Sequence, residues 1–176
     1  LNDGYLVKLA EMLATKGYLV AIVQYRDQPP VGQNFENWTS NVAMLSKDLS
    51  DVGTALANQY GLERNQVVLG GSSYTANALI SHSAWGTGTF LDTRGFIAIM
   101  GSSSLMTAQN IKSPVLAFAC DGEPFEAYYG KSIYDNISDP AIKSKSYGFT
   151  DGSCSGHNTS NAWQQVIVDK VKGWLP

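Results

Sequence analysis

Val67-Val68-Leu69-Gly70-Gly71-Ser72-Ser73-Tyr74-Thr75-Ala76-Asn77-Ala78-Leu79-Ile80 decides how the whole chain is read. A branched apolar run gives way to a knot of glycine and serine, and a helix-like run follows. That order is how a buried strand turns sharply into a helix with a serine at the tip. In such an elbow the serine Oγ stands above the edge of a parallel sheet, and the backbone N–H of the next residue, here Tyr74, can bind an oxyanion. A serine two places after a glycine is found in both Gly71-Ser72-Ser73 and Gly70-Gly71-Ser72. The strand ends near Gly71, and the small Ala76 then falls where close helix–strand packing is usual, so Ser73 is favoured over Ser72. The glycine that usually closes this pattern is replaced by Thr75, whose branched Cβ crowds a tight turn.

Outward from the elbow, strand-like and helix-like segments alternate to both ends of the chain. Tyr5–Lys16 carries Leu6, Leu9, Met12 and Leu13 at helical spacing, with Gly17 as a C-terminal stop. Tyr18–Tyr25 is a continuous apolar run with branched residues, the mark of a strand buried on both faces. Arg26–Asn37, with Pro29, Pro30 and Gly32, reads as a loop. Trp38–Tyr60 is a long helix whose Val42, Leu45, Leu49, Val52 and Leu56 form one apolar stripe. Val67–Gly71 and the helix Tyr74–Ala84 follow. Gly95–Gly101 and Pro114–Cys120 are two more buried strands, Pro124–Ile137 reads as a helix, and Ser144–Phe149 as a terminal strand. Asn158–Leu175 closes the chain as a helix with Trp163, Ile167, Val171 and Trp174 on one face. This alternation predicts an α/β fold, a mostly parallel sheet with helices on both faces, in a single domain over 1–176.

The chain has 176 residues, enough for one domain with a substantial core. Charged residues are 15% and the net charge is -3, with no basic patch, so nucleic acid is not an expected partner. No apolar run approaches the roughly 20 residues a membrane span needs. There are two cysteines, Cys120 and Cys154. An even count with low charge suits an oxidised, extracellular protein, and secretion is the expectation.

A serine at an elbow needs a base and an acid, which follow it in the order serine, acid, histidine on this fold. The chain has two histidines. His82 lies on the same predicted helix as Ser73, nine residues on, or about 13 Å along the axis, too far for a hydrogen bond. His157, in the Asp151–Asn158 loop after the last strand, is the expected base, its alternative role being a polar residue near the start of the final helix. Asp121 and Glu123 both follow the strand ending at Cys120, and either could hold the imidazole in its working tautomer.

These residues resemble the α/β-hydrolase superfamily, of the serine esterase and lipase type. Val23-Gln24-Tyr25-Arg26 is similar to a strand end found in esterases, and the elbow resembles theirs. Leu116-Ala117-Phe118-Ala119-Cys120-Asp121-Gly122-Glu123 is similar to the acid loop of the cutinase-like polyester hydrolases, including those acting on poly(ethylene terephthalate), where a cysteine precedes the acid by three. The resemblance thus implies Glu123 as the acid. It also implies a Cys120–Cys154 disulfide, although the family's second cysteine follows its histidine whereas Cys154 precedes His157. A bridge of that span is worth about 3–4 kcal/mol on a chain-entropy account. The alternatives are two free thiols, or a zinc site from Cys120 and Cys154-x-x-His157 that lacks a fourth ligand.

The implied activity is carboxylic ester hydrolysis by Ser73, His157 and Glu123, on a small-molecule or polymeric ester, with no cofactor. A peptidase or thioesterase with the same triad, and a non-catalytic binding module on the same scaffold, are the alternatives. The resemblance further implies three strands ahead of the first helix, and a His-Gly-Gly-Gly loop carrying the second oxyanion donor. Nothing like that loop is found in the sequence, so residues 1–176 are expected to be the C-terminal part of a longer polypeptide; a sheet rebuilt around a shorter core is the alternative.

Overall fold

The computed structural model describes residues 3–23, 35–86, 93–122 and 128–175. In chain order it has α1 (Asp3–Ala14), α2 (Phe35–Tyr60), β1 (Val68–Ser72), α3 (Tyr74–Trp85), β2 (Gly95–Ile99), β3 (Ser102–Ser103) and α4 (Leu105–Gln109). Then come β4 (Val115–Asp121), β5 (Tyr128–Tyr129), α5 (Lys131–Asn136), α6 (Pro140–Lys143), β6 (Tyr147–Ser155) and α7 (Ala162–Trp174). The main sheet runs β1-β2-β4-β6 with every pairing parallel, and β3 pairs antiparallel with β5 in a small second sheet.

Side-chain alternation along the strands divides the core into two layers. Leu69, Phe96, Ala98, Val115 and Ala117 face one side, where they meet Ala76, Leu79 and Ile80 of α3, Leu49 of α2 and Ile133 of α5. Ile97, Ile99, Leu116 and Phe118 face the other, against Tyr5 and Leu9 of α1 and Trp163, Ile167, Val168 and Val171 of α7. β2 is buried along its whole length and β4 along all but its last residue. A sheet covered on both faces explains why these strands read as continuous apolar runs. The stripe expected on α2 is buried at Val42, Leu45 and Leu49, and that on α7 at Trp163, Ile167, Val171 and Trp174.

Four expectations are corrected. Residues 18–23 of the expected strand Tyr18–Tyr25 form no ladder, and Leu19 and Ile22 are 50% and 61% exposed; Gln24 and Tyr25 lie outside the described residues, as do most of the loop residues expected after them. An apolar run becomes a strand only where a neighbour offers its N–H and C=O groups, and among the described residues β1 pairs with β2 alone. The long α2 starts at Phe35 rather than Trp38. Of the expected helix Pro124–Ile137, residues 124–127 lie outside the described residues; Tyr128–Tyr129 pair with β3 instead, and Gly130, at φ 50°, turns the chain before the helix α5 begins at Lys131. β6 does not stop at Phe149 but runs on through the segment expected to be a loop, to Ser155.

Phe118 lies at the centre of the second layer, its ring centroid 5.8 Å from Tyr147, 6.4 Å from Phe149 and 6.0 Å from Trp163. Phe118→Ala is expected to lower stability by about 3–5 kcal/mol, because the three rings packed around it leave a cavity that collapses only in part. Urea unfolding followed by tryptophan fluorescence measures it.

Candidate active site

The carboxyl ends of β1, β4 and β6 converge at one rim of the sheet, where an open α/β sheet places its ligands. Ser72 closes β1 and is buried, while Ser73 follows at φ 57°, ψ −121°. That conformation lies outside the regions L-residues favour. Two hydrogen bonds bracket it: the Ser73 N–H donates to the Ile99 carbonyl of β2 at 2.8 Å, and the Ser73 carbonyl accepts from Asn77 N–H at 3.1 Å as α3 begins. Tyr74 is therefore the first residue of α3, at the positive end of the helix.

Thr75 does not spoil this turn. It is buried, and its side chain occupies the space a side chain at residue 71 would need: a Cβ on Gly71 would lie 2.5 Å from Thr75 Cγ2 and 2.7 Å from its Cβ. The branched residue in the elbow and the bare glycine before it fit each other.

His157 meets Ser73 from the far side of the sheet, with Nε2 2.8 Å from Ser73 Oγ. The path to it is an excursion in β6. Cys120 pairs with Asp151, but the next residue of β4, Asp121, pairs with Ser155, so residues 152–154 bulge out. Three anchors hold the bulge. Asp151 Oδ1 accepts from Ser153 N–H at 2.9 Å and from Ser153 Oγ–H at 2.6 Å, while its Oδ2 accepts from the Trp163 indole N–H at 2.9 Å. The Cys120–Cys154 disulfide ties the bulge to β4, with Cα atoms 5.2 Å apart. Gly156 N–H donates to the Asp121 carbonyl at 2.8 Å. With both sulfurs in that disulfide, neither cysteine is a thiolate for zinc.

The other expected site residues separate. His82 lies in the last turn of α3, half-buried, and desolvation pushes its pKa below the ordinary histidine value. Asp121 is exposed; its Oδ1 accepts from Gly122 N–H at 3.0 Å and lies 3.5 Å from Tyr129 Oη. Glu123 falls outside the described residues. Sequence reasoning does not single out Asp151, although Asp151-Gly152-Ser153 carries the signal of an aspartate closing a turn on its own backbone. Its distant partner, Trp163, leaves no local trace.

Donation from the Ser153 hydroxyl and amide, and from Trp163, holds the Asp151 carboxyl below the usual aspartate range. As pH falls, the unfolded chain takes up that proton first. The stabilisation is therefore complete above about pH 4 and lost as pH drops through the folded value. Asp151→Asn, whose NH2 would face the indole N–H, is expected to be less stable than wild type at pH 7, with the gap narrowing below about pH 4. Urea midpoints across that range show it; a constant gap would contradict it. At the elbow, Gly71→Ala is expected to cost about 1–3 kcal/mol through overpacking against Thr75. The same substitution in a Thr75→Gly background costs less, and a double-mutant cycle of urea midpoints measures the coupling.

No family model and no curated protein matches the chain. Among solved structures it is similar to the crystal structure of a Bacillus cereus carboxylesterase, with a TM-score of 0.58 at 13% identity, covering 99% of this chain and 84% of that one. At that identity the likeness is one of fold: a central parallel sheet flanked by helices, of the α/β-hydrolase type.

Proposed function

We propose that the protein is a serine hydrolase that cleaves carboxylic esters through an acyl-enzyme. The observation that carries this reading is the 2.8 Å approach of His157 Nε2 to Ser73 Oγ, with that serine held in a strained backbone at the tip of β1. Ser73 Oγ attacks the acyl carbon and gives its proton to His157 Nε2. The oxygen that becomes negative is met by the Tyr74 N–H at the start of α3. The tetrahedral adduct collapses, and the leaving alcohol takes the proton from His157. Water then repeats the sequence on the acyl-serine and restores Ser73.

Glu123 is assigned as the acid that orients His157 and stabilises its charged form. Asp121 suits the part less well, because its carboxylate is exposed and turned toward Gly122 and Tyr129. The fold is shared with a carboxylesterase, which favours an ester among acyl substrates. The Cys120–Cys154 disulfide fits an oxidising compartment, so export is part of the proposal. No helix among the described residues is long and apolar enough to cross a membrane.

Wild type is expected to hydrolyse p-nitrophenyl butyrate and to react with a fluorophosphonate probe. Ser73→Ala should lose about 10⁴-fold or more in kcat and all probe labelling. Undiminished turnover in Ser73→Ala would remove the assignment, and a folded wild type silent in both assays would favour a binding module. Thioester and peptide substrates run alongside sort the acyl class.

A further inference from the structure

Asn77 stands one helical turn beyond Ser73 in α3. Asparagine is a poor helix-interior residue, because its side chain competes for backbone hydrogen bonds. Here its carbonyl reaches out of the helix: Asn77 Oδ1 accepts from the Ser102 N–H at 2.7 Å. Ser102 is only 5% exposed, so water does not readily replace that acceptor.

Between Ser73 and Ser102 the chain from Ile99 forms a tight arch over the start of α3. The Ile99 carbonyl receives the Ser73 amide, and Met100 N–H donates to the Phe118 carbonyl at 2.7 Å. Gly101 lies so close to α3 that a Cβ on it would meet Ala76 Cβ at 2.8 Å. Among the described residues, Ser73 and Met100 are the non-glycine residues with positive φ, at 57° and 53°. The two strained residues thus flank one hydrogen bond. Past Ser102 the arch becomes β3, which pairs Ser102 with Tyr129 and Ser103 with Tyr128. β5 directly follows residues 123–127 in the chain, the segment that includes Glu123.

We propose that Asn77 is a positioning residue for the reaction, acting through Ser102 rather than on the substrate. It locks the arch against the helix that carries Ser73, and with it the Ile99 carbonyl that receives the Ser73 amide. This role rests on the serine-hydrolase reading above. Without the Asn77 carbonyl, the Ser102 amide must find another acceptor. The arch then shifts, and with it the Ile99 carbonyl that holds the Ser73 backbone. The binding surface for the substrate is not altered directly, so the loss falls on kcat.

The experiment compares steady-state hydrolysis of p-nitrophenyl butyrate by wild type, Asn77→Ala, Asn77→Ser and Asn77→Asp, each shown folded by far-UV circular dichroism. Alanine favours the helix more than asparagine does, so Asn77→Ala does not weaken α3 through propensity. Asn77→Ala and Asn77→Ser are expected to lose about 10- to 100-fold in kcat with KM changed less than about threefold. Asn77→Asp keeps an oxygen in the same place and is expected to recover to within about fivefold of wild type. Fluorophosphonate labelling rates should fall and recover in parallel. Wild-type kcat in Asn77→Ala, or no recovery in Asn77→Asp, overturns the positioning role. Loss of the fold in both Asn77→Ala and Asn77→Ser also overturns it, in favour of a purely structural bond. A folded wild type with neither turnover nor labelling is a different failure: it sinks the hydrolase reading, and this role with it.

Discussion

The backbone of Ser73, at φ 57° and ψ −121°, is the constraint on which the rest of the structure depends. A residue held there costs about 1–3 kcal/mol relative to an ordinary conformation, and persists only where its surroundings over-determine it. The surroundings do so from three sides. β2 takes the Ser73 amide through Ile99, α3 takes the Ser73 carbonyl through its first helical bond, and Thr75 fills the space left by Gly71. The first of these depends on the sheet register Ser72↔Ile99, so a slip of one residue between β1 and β2 would take the Ile99 carbonyl from the Ser73 amide. The buried pairing of β1 with β2, and of β2 with β4, is what denies the chain that slip. Core burial here holds one hydroxyl at the rim.

The histidine side is built on a different principle. Ser73 is held by regular secondary structure, whereas His157 follows an interruption of it. Residues 152–154 leave the β4–β6 ladder, and a loop of that kind would ordinarily be adaptable. It is fixed instead by a covalent bond to Cys120, by the charge-assisted bonds of Asp151, and by the Gly156 amide. Hydrogen bonds to an ionised carboxylate are stronger than neutral ones, and those from Ser153 and Trp163 hold the Asp151 carboxyl below the usual aspartate range. Redundant anchoring of this kind suits the proposed role of His157 as a base, which requires it to lie within hydrogen-bond reach of one oxygen.

How much of this is legible in the sequence follows from how local each cause is. The run from Val67 to Ile80 carries its own strand, turn and helix signals, so β1, the elbow and α3 are readable there within about a residue. β2, β4 and the stripes of α2 and α7 are readable for the same reason, because burial on two faces or one stripe imprints a period on the residues themselves. Tyr18–Tyr25 has the same apolar imprint and yet is not a strand over residues 18–23, since pairing depends on a neighbour that the run cannot encode. Asp151-Gly152-Ser153 looks like a loop beyond the last strand and is instead a bulge inside it, because the ladder resumes at Ser155 opposite Asp121. Elimination between two histidines points to His157 as the one near Ser73, and its Nε2 does lie 2.8 Å from Ser73 Oγ. Asp121 and Glu123 are not separable by residue type alone, because both follow the same strand end. Asp151 and Asn77 are invisible as supports because Trp163 and the Ser102 amide lie far from them along the chain.

The order of the strands explains why the anchors are where they are. β1 and β6 are the outer strands of β1-β2-β4-β6, three spacings apart, or about 14 Å at the usual ladder distance. A histidine following β6 therefore reaches Ser73 only if its loop leans back across the ends of β4 and β2. Gly156, at φ 64°, supplies a left-handed turn that most side chains resist. Two of the anchors, the disulfide and the Gly156 amide, attach to the end of β4, one strand nearer to Ser73 than β6 itself. They pull the loop in the direction the site requires, and loosening either lets the histidine follow β6 outward. The Cys120–Cys154 bond is then more than a constraint on the unfolded chain: its position on β4 makes it a strut for the one approach, His157 to Ser73, that the proposed chemistry needs.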